Sequence, residues 1–217
     1  MTPEQAAHET RAALVSVPSR FMTDPATYAY GKELGFQGAD FYVAGRGGAL
    51  GDVPAGVVTA AFVFFAPDVV EAAWVRSANV MARADAAAAW AGRVRASAEG
   101  FPPDVDWPAL AALSGRIAAA ASFAGAPLFA AWRALPEPDD DPRVLALHRL
   151  NGLRELRGAL HGAAVLTVGL SPLEAIVVRT PEMIRTFGWQ EEPPDPLRSV
   201  SGGRSPRRAR TACSAAT

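Results

Sequence analysis

RVLALHRLNGLRELRGALHGAAVLTV, residues Arg143 to Val168, is the stretch that decides how this chain folds. It runs 26 residues without proline, is rich in leucine, alanine and arginine, and stops at Gly169, where a helix commonly ends. The spacing predicts one long central helix. At 100° per residue, Leu147, Leu150, Arg154, Arg157, His161, Val165 and Val168 fall within about 80° of one another. The ends of that stripe are apolar and its middle carries two arginines and a histidine. Cations in an apolar stripe are costly to desolvate unless something meets them. Two readings follow. Either the arginines enter a structural ion-pair cluster with acids elsewhere, such as Asp40 or Asp52, or they line a pocket for a small anionic ligand in which His161 carries protons. Glu155 lies about 100° from the stripe and is expected on a solvated edge. Gly158-x-x-x-Gly162 beside the stripe predicts a closely packed neighbour, able to supply the arginines' partner.

Downstream, Ser171-Pro172-Leu173-Glu174 has the form of a capping box: serine caps, proline fits the first helical position and glutamate reaches back. A helix to about Val178 is expected, and with the end of the long helix it would make a helix-turn-helix. Its residues Leu173, Ala175, Ile176, Val177 and Val178 are apolar, whereas reading the major groove calls for Arg, Lys, Asn or Gln. A buried helical corner is the competing reading.

Upstream the pattern is also helical. Helices are expected over Pro3–Leu14, from an Asp24 cap and Pro25 to near Gly35, from Asp40 into a glycine turn, over Ala55–Phe65, Pro67–Met81 and Ala84–Ala98, from Trp107 to Ala121, and over Pro127–Leu135. The run Pro136 to Pro142 is a turn. Gly45-Arg46-Gly47-Gly48-Ala49-Leu50-Gly51-Asp52 is expected as a tight turn between helices. It fits neither a dinucleotide nor a P-loop fingerprint, and Lys32 is the only lysine in the chain. If the segment is helical, Tyr42 lies one turn before Arg46, and Arg46 reaches the same pocket as Arg154, Arg157 and His161.

Charge is unevenly placed. Residues 1–197 hold 16 basic and 22 acidic residues, a net of −6, whereas 198–217 hold five arginines and no acid. An acidic body is not an obvious nucleic-acid surface. Cys213 is the single cysteine, so no intrachain disulfide is expected. His148 and His161 sit about 220° apart around one helix and cannot chelate together, so no metal site is expected. No cofactor motif and no Ser-His-Asp arrangement is recognisable. No apolar run reaches the ~18 residues of a membrane span, and the N-terminus does not resemble a signal peptide, so a cytoplasmic protein with no membrane partner is expected.

Several segments together carry a resemblance: Phe41 to Val53, Val57 to Phe65, Gly125 to Pro136, Leu153 to Gly158 with His161, and Gly169 to Ala175. The set, over about residues 25 to 197, resembles an actinobacterial family of helical proteins, some labelled SalK-like or EvbL-like, that bears a helix-turn-helix name. The resemblance implies an all-helical fold and a regulator label, with no residue-level site. The family pattern continues past Phe187-Gly188-Trp189 into an acidic, alanine-rich helix, whereas here the chain turns to Ser201-Gly-Gly-Arg-Ser-Pro-Arg-Arg-Ala-Arg210. A frameshifted or truncated end is expected, leaving apolar surface uncovered.

The sequence therefore predicts an all-α, single-domain bundle over 1–197 with a long central helix and a helix-turn-helix-like corner. A basic, disordered tail is expected over 198–217. Two functions stay open: a transcriptional regulator that responds to a small molecule, or an anion-binding protein or unrecognised enzyme with no direct contact to DNA.

Overall fold

The computed structural model describes residues 1–138 and 140–190, so the expected tail at 198–217 lies outside the described residues. Ten α-helices and two short 3-10 turns make up the described part, with no strand among those residues. The helices are α1 (Pro3–Ser19), α2 (Pro25–Glu33), α3 (Asp40–Gly48), α4 (Ala55–Phe62), α5 (Pro67–Ser77), α6 (Arg83–Ala98), α7 (Trp107–Ala120), α8 (Pro127–Ala134), α9 (Pro142–Thr167) and α10 (Pro172–Arg179). Side-chain caps on Thr2, Asp24, Asp106, Asp141 and Ser171 satisfy free N-terminal amides, each with proline in the first turn.

Helix α9 is the axis of the fold. Helices α1, α6, α7 and α8 pack along it, while α3 packs on α5 and α6. The core is aromatic. Trp90 on α6 is 1% exposed and is met edge-on by Phe21 at 5.2 Å, Phe41 at 5.1 Å and Tyr42 at 5.5 Å.

The glycine stretch departs from expectation. Helix α3 runs on through Gly45, Gly47 and Gly48 instead of turning there. A β-carbon on Gly45 would stand 2.5 Å from Trp90, and one on Gly48 would strike the Arg83 carbonyl. Close packing of α3 on α6 thus outweighs the poor helix propensity of glycine, which costs about 1 kcal/mol per residue.

Helix α4 ends earlier than expected, because Val63 takes φ 45° and ψ −64°. Phe64 N–H donates to the Phe62 carbonyl across it, which closes a three-residue turn of the rare positive-φ kind. For a β-branched residue such backbone costs of order 1–3 kcal/mol, and packing must hold it there.

The buried side of α9 keeps Leu147 and Val165 of the predicted stripe, but it is centred roughly 100° away from it. Val144, His148, Asn151, Glu155 and Gly162 are buried and fall within about 60° of one another. Glu155, expected on a solvated edge, is 2% exposed. Val168, expected at the apolar end of the stripe, is 73% exposed.

At its C-terminus α9 closes with Gly169 at φ +83°. Leu170 N–H donates to the Val165 carbonyl and Gly169 N–H to the Leu166 carbonyl, the paired bonds of a Schellman stop. The axis then bends by 103° into α10. Among the described residues no single helix is long and apolar enough to cross a membrane.

Candidate functional site: a buried carboxylate and the helical corner beside it

Arg46, in the last turn of α3, extends its side chain across the core to α9. Its Nε donates to Glu155 Oε1 at 2.9 Å and its Nη2 to Oε2 at 2.8 Å, a bidentate pair 9% and 1% exposed at the side chains. Its Nη1 donates to Tyr42 Oη at 3.1 Å, one helical turn earlier, which the spacing of the two residues anticipated. Phe62 lies under the guanidinium at 4.3 Å, and Trp132 Nε1 donates to the Arg46 carbonyl at 3.4 Å. All three nitrogens of Arg46 are thus engaged.

Arg154, next to Glu155 in sequence, sends Nη1 to Oε1 at 2.8 Å, and its side chain is 19% exposed. Two cations therefore share one carboxylate. Burial pushes the Glu155 carboxyl up, but Arg46 and Arg154 outweigh burial and hold it below the ordinary carboxylate range. Arg46 is likewise pushed up by Glu155 and Tyr42 against the opposing effect of its own burial. Both shifts describe one charged, locked pair.

The arginines' carboxylate partner is thus Glu155, and neither acid expected for them fills that place. Asp40 pairs with Arg76 on α5, with contacts of 3.0 and 2.7 Å, and Asp52 is an exposed residue. Arg157 and His161 are half-buried and stand apart from the Arg46–Glu155 pair. The His161 ring stacks on Phe64 at 4.9 Å. Its imidazole is held below the ordinary range, first by burial and then by Arg157 and by Arg179 of α10.

The close neighbour anticipated from the two glycines is the strained turn after α4. A β-carbon on Gly162 would meet Val63 Cγ1 at 2.9 Å, whereas one on Gly158 would meet nothing within 4 Å. Val63 seats in the Gly162 notch, and on either side of it Phe62 lies under Arg46 and Phe64 on His161. Phe64 also accepts Trp189 Nε1 at 2.8 Å through its carbonyl. One short turn therefore joins the buried ion cluster to the corner.

At that corner Ser171 Oγ accepts from the Glu174 N–H at 3.2 Å and Glu174 Oε2 accepts from the Ser171 N–H at 2.8 Å, completing the capping box. Leu173 and Ile176 are the buried residues of α10, which packs on α9, and Val178 and Arg179 are exposed. The sequence did not single out Arg179, Phe62, Phe64 or Val63. Arg179 was legible as the basic residue in the last turn of α10, but the contact of Phe62 and Phe64 with α9 is tertiary.

A long helix, a glycine-closed turn and a capped second helix bent by 103° form a helix-turn-helix corner on an all-helical scaffold. The profile described as a helix-turn-helix family matches residues 7–198, and the chain belongs to that family. No curated protein and no solved structure matches the chain.

Proposed function

We propose that this protein is a DNA-binding transcriptional regulator whose α9–α10 corner meets the duplex. The observation that carries the reading is the family match over 7–198 together with the 103° corner and its capped α10. Because α10 is short and its outward residues include Val178, its part is apolar contact and backbone positioning, with little hydrogen bonding to base edges. Kinship with the SalK-like and EvbL-like actinobacterial proteins and a cytoplasmic location belong to the same reading.

Response to a small anion follows naturally from the charge of the corner. An anionic effector seated on Arg154, Arg157 and His161 competes with DNA phosphates for the same cations. Arg46 takes no direct part, since its donors are engaged inside the core.

The test is selection from a random duplex pool at moderate salt. Enrichment of a common sequence, lost when Ser171–Arg179 is replaced by a polar helix of equal length, supports the regulator. A pool that stays unenriched overturns it and leaves the second function, an anion-binding helical protein without DNA contact.

A further inference from the structure

The arginines of this protein differ in what meets them. Arg83 donates to the Trp74 carbonyl and to Ser77 Oγ, each at 2.7 Å, and so caps the C-terminal end of α5. Arg76 is taken by Asp40. Arg149 holds Glu137 through two bonds, at 2.7 and 2.6 Å. Two arginines near the α9–α10 corner differ from these. Arg157 and Arg179 make no ion pair and no hydrogen bond among the described residues. Arg154 spends one of its five donors on Glu155 Oε1, an oxygen that Arg46 Nε already occupies.

The charges do not balance. Glu155 contributes one negative charge against the two cations of Arg46, which takes both oxygens in a complete fork, and Arg154, which adds a single bond. Arg154 is then a surplus cation, half-withdrawn from water and pinned from behind. On α9, Arg154, Arg157 and His161 fall at i, i+3 and i+7, within about 60° of one another, so they form one edge. Arg179, in the last turn of α10 beyond the bend, lies close enough to this edge for its charge to disfavour the His161 cation. The neighbouring acid on α10, Glu174, is committed to the Ser171 N–H at the other end of that helix. His161 does not add to the charge at neutral pH, since burial and the two arginines disfavour its cation.

We propose that Arg154, Arg157 and Arg179 form a phosphate-oxygen binding site on the outer edge of the α9–α10 corner, with Glu155 as the anchor that positions Arg154. The proposal deepens the regulator reading and rests on it for the source of the anion, the phosphodiester backbone of duplex DNA. Planar guanidinium groups suit phosphate oxygens because their paired donors match two oxygens at once. A cation held by a buried carboxylate loses less freedom when it binds than one on a free side chain. Such contacts set register and affinity without reading sequence, which suits a second helix with few groups for base edges.

The test measures binding of a labelled duplex of mixed sequence across a series of salt concentrations. It uses the full chain and its Arg157→Ala, Arg179→Ala and Arg154→Lys variants, with Arg116→Ala on α7 as control. Each alanine change is expected to lower the slope of log affinity against log salt by about one, with a similar loss on every duplex. Arg154→Lys keeps the charge and loses the fork, so it weakens binding with the slope intact. Inorganic phosphate, read by thermal stabilisation, is the second arm. DNA binding with slopes unaltered in both alanine variants overturns the site and leaves the regulator standing. Stabilisation by phosphate that Arg157→Ala abolishes, without DNA binding, upholds the site and overturns the regulator. Silence in both arms overturns both. Because Arg179 is exposed and Arg157 half-buried outside the core, circular dichroism is expected to show both variants folded; Arg157→Lys, expected to restore the slope, checks that the loss comes from charge.

Discussion

Arg46 and Glu155, 109 residues apart in the chain, meet through two hydrogen bonds of 2.9 and 2.8 Å inside a helical core. The pair couples α3 to α9 by side chain alone and fixes which side of α9 faces inward. Such a pair is weak evidence for stability, because desolvation offsets much of the attraction. Breaking it is a different matter. Glu155→Gln leaves Arg46 as an uncompensated buried charge and is expected to cost about 3–5 kcal/mol in denaturant unfolding, whereas Arg46→Met leaves Glu155 with Arg154 as its one cation and is expected to cost less. The double variant Arg46→Met with Glu155→Leu is expected to be far less destabilised than the sum of the single changes. A strictly additive double variant would show that the two groups act independently.

Acid stability follows from the same pair. The Glu155 carboxyl is held below its ordinary value of 4.5, so the folded state binds protons less readily than the unfolded one. Its contribution is fully present above pH 4.5 and is lost as pH falls through the lower folded value. The Arg46→Met, Glu155→Leu variant is therefore expected to show a shallower loss of stability in acid. Equal slopes below pH 4.5 in both proteins would count against the charged pair.

The histidines act at higher pH and in the same direction. Burial depresses His148 most, with Arg149 adding to it and Glu137 opposing; burial, Arg157 and Arg179 depress His161. Each binds a proton less readily when folded, so stability present above the ordinary value of 6.5 declines as pH falls below it. His148→Phe is expected to remove part of that decline. An anion bound to Arg157 and Arg179 is expected to raise the His161 titration, a shift readable by nuclear magnetic resonance of its ring protons.

Gly158 and Gly162 share a motif and are expected to respond oppositely to alanine. Gly162→Ala drives a methyl group into Val63 Cγ1 at 2.9 Å and is expected to cost about 1–3 kcal/mol. Gly158→Ala meets nothing within 4 Å and is expected to stabilise α9 by about 0.5–1 kcal/mol. Val63→Ala is expected to rescue part of the Gly162→Ala loss. Equal effects at the two glycines would show that Val63 does not fill the notch.

Ser171→Ala removes half of the capping box and is expected to cost about 1 kcal/mol, felt first in α10. Hydrogen exchange is expected to quicken in Pro172–Arg179 while the α9 core around Leu147 stays protected. Uniform quickening throughout the chain would place α10 inside the cooperative core instead.

Much of the helical inventory was legible because its signals are local. Asp24-Pro25, Asp106-Trp107-Pro108 and Ser171-Pro172-Leu173-Glu174 each combine a cap with a proline, and each begins a helix where expected. Gly169 ends α9 where expected, one residue past its cap. The glycine stretch of α3 was misread because propensity cannot see Trp90 and the Arg83 backbone closing on Gly45 and Gly48. Glu155 was misplaced for a related reason. Charge pointed it to solvent, and it is the fork from Arg46 on a distant helix, joined by Arg154, that stabilises the carboxylate inside.

By itself the sequence determined that this chain is helical, that a long helix ends in a glycine-closed, serine-capped corner, and that arginines and a histidine cluster on that helix. Those features rest on the backbone and on neighbours within a turn or two, so short-range spacing encodes them. Tertiary structure decided which face of α9 is inside, which arginines meet Glu155 and which remain for an outside anion. Rotation of a helix about its axis is set by the elements packed against it. Here Val63 in the Gly162 notch and Arg46 on Glu155 fix that rotation.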